Sequence, residues 1–261
     1  MRVQYIFKKS EIATSARDAR GLSSTHARVM SRASAWRRDI AALYISRRSS
    51  RPRANCRRPT LRGPRERTVR IVGEMRILAF AGSLRRASYN RGLIRAAADL
   101  APAGINVDVF DLSDIPLYNQ DVEDAGEPAS VVAFKEAMAR ADALLVATPE
   151  YNHGVPGVLK NAIDWASRPR LTSPLRDKPV AVMGASPGSG STARAQAQLR
   201  DAFVFTGACV MPLPELLVGA AGTHFDPDGN VTDPELRASL VELVEALREW
   251  ALRIDSRRAA A

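Results

Sequence analysis

The sequence predicts an α/β protein: an open, doubly wound, five-stranded parallel sheet with helices on both faces. Three observations carry this. From Met75 onward, short β-type runs alternate five times with longer helical runs, and parallel strands need such crossovers to lie side by side in one direction. Three of the five strand runs are almost unbroken in apolar residues, as strands covered on both faces must be. The most unusual loops each follow a strand, which is where sheets of this kind hold ligands.

The elements follow in order. "RILAFA" (76–81) is a buried strand and leads to a helix over about 90–101. "INVDVFD" (105–111) sets Val107 and Val109 against Asn106 and Asp108, the alternation of an edge strand with one wet face. A helix over 128–141 precedes "ALLVAT" (143–148), and a helix over 155–167 precedes "PVAVMG" (179–184); both strands are near-continuously apolar. A helix over 192–206 leads to the fifth strand, "ACVMPL" (208–213). The last helix, 233–253, opens on Asp233 as acceptor and Pro234 at the first helical position, where a missing N–H costs nothing. Leu236, Leu240, Leu243, Leu247 and Trp250 then recur on one face.

The net charge of +10 is unevenly placed. Residues 1–74 hold 19 Lys or Arg against 5 Asp or Glu, a balance of +14, whereas 75–261 hold 19 against 23, a balance of −4. The Arg-, Ser- and Pro-rich stretch 46–70 repels itself and has little to bury, so residues 1–74 are expected to be a disordered basic extension. Translation starting naturally at Met75 is the plainest account of it; a transit peptide and a nucleic-acid-binding arm are the alternatives. Its longest apolar run, "IAALYI", is too short to cross a membrane. Cys56 and Cys209 lack the spacing of a metal site or a disulfide framework; Cys209, within "GACVM", reads as a buried small hydrophobe. The expected location is the cytoplasm.

Three loops carry the chemistry. "AGSLRRASYN" (81–90) joins the first strand to the first helix. Ser83 and Ser88 offer hydroxyls, Arg85 a guanidinium, Asn90 an amide, and the helix start its free N–H groups; together they suit a phosphate monoester. The spacing is neither G-x-G-x-x-G nor a Walker loop. "TPEYNHGVPGVLKNAIDW" (148–165) places Pro149, Glu150, Tyr151 and Asn152 consecutively after the third strand. An acceptor, an aromatic face and an amide in a rigid turn suit the edge of a flat heteroaromatic ring. His153 is a lone histidine in a turn and is not assigned as a base. "GASPGSGSTARAQAQLR" (184–200) follows the fourth strand, with small residues that permit close approach to a flat ligand. Ser191 stands where a P-loop lysine would be, so triphosphate hydrolysis has no support.

At "GSLRRASYN", "PEYNHGVPGVLKNAIDW" and "GASPG" the sequence resembles the NADPH-dependent FMN reductase family, flavodoxin-like enzymes that include bacterial chromate and quinone reductases. The resemblance covers 75–261 and none of 1–74. It implies FMN at the switch between the first and third strands. Ser83, Arg85, Ser88 and Asn90 would then surround the phosphate, and Pro149, Glu150, Tyr151 and Asn152 the ribityl and ring portions, with Ser186 and Gly188 approaching the ring. It implies NADPH or NADH as reductant, a small-molecule acceptor such as a quinone, flavin, azo dye or chromate, ping-pong kinetics, and a homodimer or homotetramer. No side chain is assigned a catalytic role, since the flavin carries the chemistry. Where family members often have a glycine pair ahead of Arg194-Ala195-Gln196, this chain has Ser191-Thr192. A flavodoxin-type electron carrier is the rival function, although such carriers tend to be strongly acidic. Nucleic-acid binding through 1–74 is the other.

Overall fold

The computed structural model describes residues 3–6 and 74–259. Its centre is a parallel sheet of β2 (Met75–Ala81), β3 (Ile105–Phe110), β4 (Ala143–Ala147), β5 (Pro179–Ala185) and β7 (Glu215–Val218), in the order β3-β2-β4-β5-β7. β1 (Val3–Ile6) adds a parallel strand outside β7, and β6 (Cys209–Val210) pairs with the start of β5. The strand at residues 3–6 is an element the sequence did not announce. The rest of the expected disordered extension lies outside the described residues. The helices are α1 (Tyr89–Asp99), α2 (Gln120–Ala125), α3 (Ala129–Arg140), α4 (Gly157–Ala166), α5 (Ala193–Phe205) and α6 (Pro234–Ala259).

The five expected helices are all present, and the short α2 is additional. β2, β4 and β5 are buried as their composition requires, and β3 is an edge strand paired only with β2. Apolar side chains fill both faces of the sheet. One layer packs β2, β4 and β5 against α1 and α6, through residues such as Leu93, Ile94, Leu240 and Leu243. The other packs them against α3, α4 and α5, through residues such as Phe134, Leu159, Trp165 and Phe203. The leucine stripe of α6 lies in the first layer as expected. Trp250 donates its indole N–H to the Cys209 carbonyl at 2.7 Å.

The fifth strand differs from its prediction. Instead of one run over 208–213 it is two pieces, Cys209–Val210 and Glu215–Val218, against the same edge of β5. Pro212 and Pro214 fall between them and have no N–H for a ladder. Arg200 bridges the gap, donating to the Met211 carbonyl at 2.7 Å and lying 3.3 Å from the Glu215 carboxylate. Cys209 is half-buried rather than buried, and its partial burial pushes the thiol pKa up.

β2 connects outward to β3, whereas β4 connects the other way to β5. The switch in strand order therefore falls between β2 and β4, the position at whose carboxyl ends sheets of this kind form a ligand crevice.

Candidate active site

The loop after β2 sits at this switch point, tied to it by the Gly82 N–H donating to the Ala147 carbonyl at 2.8 Å. Ser83 and Ser88 are buried; Arg85 and Arg86 are exposed. Ser88 is the N-cap of α1, its hydroxyl accepting from the Arg91 N–H at 3.4 Å. Among the described residues, the N–H groups of Ser83 to Ala87 make no hydrogen bond. No acidic residue stands between Gly82 and Asn90. A row of unpaired donors beside a helix N-terminus, with exposed Arg85 in the same loop, is an arrangement compatible with an anion. The Arg85 guanidinium lies over the Tyr89 ring at 5.3 Å.

The underside of this loop is held by backbone packing. A Cβ at Gly92 would lie 1.9 Å from the Gly229 carbonyl oxygen, and one at Gly229 would lie 3.0 Å from Ala87. Gly229 also adopts φ +78°, which only glycine adopts readily. Arg95 donates to the Gly229 carbonyl and to Asn230 Oδ1, each at 3.1 Å, securing the same contact.

Asn90 behaves differently from Ser83, Arg85 and Ser88, the other three residues expected around a phosphate. Its amide exchanges two buried hydrogen bonds with Ala185 at the end of β5: Nδ2 donates to the carbonyl at 2.9 Å, and Oδ1 accepts from the N–H at 3.0 Å. The side chain thus buttresses the first turn of α1 against the sheet and is not turned into the loop.

After β4 the chain makes a tight hairpin. Tyr151 and Gly154 exchange backbone hydrogen bonds of 3.1 and 3.0 Å. Asn152 and His153, between them, have φ of 51° and 62°. Positive φ at both central residues defines a type I′ turn, and Asn and His are among the few side chains that tolerate that region. Tyr151 is 53% exposed, and its hydroxyl donates to Ser83 Oγ at 3.4 Å, so this hairpin meets the first loop.

Glu150 turns the other way. Its Oε2 accepts from the N–H groups of Arg194 and Ala195 at 3.0 and 3.1 Å, at the start of α5. Its Oε1 lies 3.1 Å from His153 Nδ1 and 3.8 Å from Arg194 Nη1. Burial alone would raise its pKa, but the Ala195 N–H, the His153 contact and the Arg194 N–H together hold it below the usual glutamate value. Glu150 is therefore the cap of a helix whose own N-cap residue, Thr192, makes no side-chain cap bond. The sequence pointed to this carboxylate as an acceptor, and the structure engages it with the start of α5.

The loop after β5 is fixed at both ends. The Ser186 N–H donates to the Val218 carbonyl, and the Ser186 carbonyl accepts from the Ala221 N–H. Ser186 Oγ accepts from the Gly188 N–H at 3.3 Å. A Cβ at Gly184 would come within 2.2 Å of Thr192 Oγ1 and 2.3 Å of the Thr148 carbonyl. Ser83, Arg85, Ser88, Pro149 to Asn152, Ser186 and Gly188 thus occupy neighbouring loops at one end of the sheet.

Several motif residues have structural partners that sequence reasoning missed. Asn161 exchanges hydrogen bonds with the Pro116 carbonyl and the Tyr118 N–H, and Trp165 Nε1 donates to the same Pro116 carbonyl at 2.8 Å. The "K-N-A-I-D-W" motif thus fastens the segment after β3. Gln196 Nε2 donates to Thr192 Oγ1 and the Leu216 carbonyl, and Gln198 Oε1 accepts from the Val155 N–H. The "R-A-Q-A-Q-L-R" run is a brace between the hairpin and the interrupted fifth strand. For Asn161 and Gln196, buried polar residues beside apolar ones on their helices, an inward-facing amide was the signal available; Gln198 is exposed and gave none.

The family profile of NADPH-dependent FMN reductases matches residues 75–223. The chain belongs to this family. An NAD(P)H-dependent FMN reductase of Pseudomonas aeruginosa is 44% identical over 181 residues, covering 69% of this chain and 97% of that protein. A 2-hydroxy-1,4-benzoquinone reductase of a Burkholderia species is 40% identical over 176 residues, covering 67% and 96%. Among solved structures, FerB, a flavoenzyme NAD(P)H:(acceptor) oxidoreductase of Paracoccus denitrificans, aligns with a TM-score of 0.63 at 36% identity, covering 69% of this chain and 98% of that one.

As an FMN reductase the chain is an enzyme that uses FMN and NAD(P)H, on a flavodoxin-like fold. Its loops are compatible with that cofactor: unpaired N–H groups, two hydroxyls and a guanidinium suit a phosphate, and the Glu150 carboxylate is engaged by two N–H groups of α5. Among the described residues no cluster of His, Cys, Asp or Glu could hold a metal ion. No helix among them is long and apolar enough to cross a membrane.

Proposed function

We propose that this FMN reductase uses NAD(P)H to reduce quinones, free flavins and metal oxyanions such as chromate, with ping-pong kinetics. The observation that carries the reading is the run of unpaired N–H groups from Ser83 to Ala87 at the β2/β4 switch point, flanked by Ser88 and Arg85. Ser83, Arg85 and Ser88 hold the FMN phosphate. Pro149, Tyr151, Asn152 and the Glu150 backbone line the ribityl and ring portions, with Ser186 and Gly188 on the ring's other border. Asn90 supports the phosphate site from beneath through Ala185.

FMN, when bound, supplies the acceptance of a hydride from NAD(P)H and its delivery to the acceptor. The protein's residues bind and orient. The type I′ turn holds Tyr151 at the rim, and the Glu150–α5 contact fixes the hairpin against the loop after β5. In the ping-pong order the oxidised dinucleotide leaves before the acceptor enters. The chain acts as a homodimer or homotetramer in the cytoplasm. This reading places no demand on residues 1–74, since the family profile begins at Met75.

The test is the visible absorption spectrum of the purified full chain before and after anaerobic NADPH, then after benzoquinone. A flavin spectrum that bleaches and returns is expected, with parallel double-reciprocal plots in steady-state assays. A flavin spectrum indifferent to NADPH would indicate a carrier. No flavin after incubation with FMN would overturn the phosphate-site assignment.

A further inference from the structure

The FMN assignment leaves two polar side chains at the rim without a task. Arg194 contributes its backbone N–H to Glu150, but its side chain is independent of that bond and is 64% exposed. Its Nη1 lies 3.1 Å from His153 Nδ1 and 3.8 Å from Glu150 Oε1. Among the described residues its Nε and Nη2 groups have no partner. His153 is 71% exposed and held by the positive-φ turn. Its Nδ1 lies 3.1 Å from both Glu150 Oε1 and Arg194 Nη1 and, according to tautomer, donates to the first or accepts from the second; among the described residues Nε2 has no partner.

The charge of Glu150 does not quench this pair. Its Oε2 is committed to two backbone N–H groups, and the remaining oxygen sits at 3.8 Å from the guanidinium, without the two-pronged geometry of a full arginine–carboxylate pair. A guanidinium with free donors beside an imidazole is a phosphate-binding arrangement. The ring and ribityl chain of FMN carry no charge for it to meet. Quinone acceptors carry none, and chromate or a free flavin nucleotide brings charge only when it is the acceptor. The pyridine dinucleotide enters in every turnover and carries a pyrophosphate and, as NADPH, a 2′-phosphate.

We propose that Arg194 and His153 form a phosphate-binding rim for the dinucleotide, with Arg194 supplying charge and fork and His153 a second donor. The proposal rests on the FMN-reductase reading of the same site. It needs no movement of the fold, because Arg194 replaced at its side chain still offers Glu150 its N–H.

The test uses the full chain reconstituted with FMN. Adenosine 2′,5′-bisphosphate is titrated calorimetrically into the wild type, Arg194→Gln, Arg194→Lys and His153→Asn; the last keeps a residue tolerant of positive φ. Arg194→Gln is expected to weaken the bisphosphate about tenfold, the loss of one charge-assisted contact, and Arg194→Lys by less. The kcat/KM values then distinguish the phosphates. An NADPH-to-NADH ratio that falls about tenfold assigns the 2′-phosphate; equal losses with both assign the pyrophosphate. Unchanged bisphosphate affinity and unchanged kcat/KM with both dinucleotides, in variants holding full FMN, would overturn the rim. A wild type that takes up no FMN would instead defeat the flavin reading, and the two failures are separable because the bisphosphate titration reads the rim directly.

Discussion

Replacing Glu150 by alanine removes the acceptor of two backbone hydrogen bonds at the start of α5, those from Arg194 and Ala195. Helix caps contribute about 0.5–2 kcal/mol each, and bonds to an ionised partner sit at the upper end. The carboxylate is largely buried, so water replaces it poorly, and a loss of about 2 kcal/mol is expected. In a domain of this size each kcal/mol moves Tm by about 2–4 °C, giving a fall of about 4–8 °C at pH 7. Glu150→Gln keeps an acceptor oxygen and should lose about half as much. The pH dependence has a definite sign. The folded carboxyl titrates below its ordinary value, so its stabilisation is complete above the unfolded pKa of about 4.3. It disappears as the pH falls through the lower folded value, and the curves of wild type and Glu150→Ala converge there. The assay is thermal unfolding of the apoprotein, read beside an FMN titration. An alanine variant whose apoprotein melts within about 1 °C of wild type, while its FMN affinity drops, would refute the cap and restore Glu150 as a flavin ligand.

Three further outcomes follow from the same geometry. Asn90→Ala leaves the Ala185 N–H and carbonyl without buried partners and should cost about 2–4 kcal/mol in urea unfolding. Gly184→Ala forces a methyl group within 2.2 Å of Thr192 and 2.3 Å of the Thr148 carbonyl; a loss of about 3 kcal/mol or more is expected, measured the same way. Arg85→Ala should retain the wild-type melting curve as apoprotein yet lose about tenfold in FMN affinity by fluorescence titration. Full flavin retention on dilution would remove Arg85 from the phosphate site.

The central strands and main helices were legible because burial on both faces leaves an unbroken apolar run, and one-sided burial leaves a period of two or 3.6. The fifth strand was less so: "ACVMPL" is apolar throughout, but Pro212 within it and Pro214 just after it divert the chain, and the ladder resumes at Glu215. Strand β1, four residues in an Arg-rich surrounding, gives no periodic signal. In the site, residue type announced an anion loop but not which side chains face it. Asn90 and Glu150 each look like ligands in sequence; their partners lie 95 and 44 or 45 residues away, and only folding brings those together. Asn152 and His153 were legible in principle, since both types tolerate the backbone region their turn requires.

The split fifth strand carries a constraint on how the gene can change. Val180 is opposite Val210, but Met183 is opposite Leu216, not Leu213, so three extra residues lie in the detour. Three is odd, and strand side chains alternate between faces. The detour therefore reverses the alternation: Val210 packs into the layer of α3, α4 and α5, whereas Leu216 and Val218 enter the layer of α1 and α6. The constraint falls on residue type and not on length: Leu216 and Val218 keep their layer through their own register with Met183 and Ala185, so the detour can absorb an added residue, whereas a polar residue at either position would be buried in that layer.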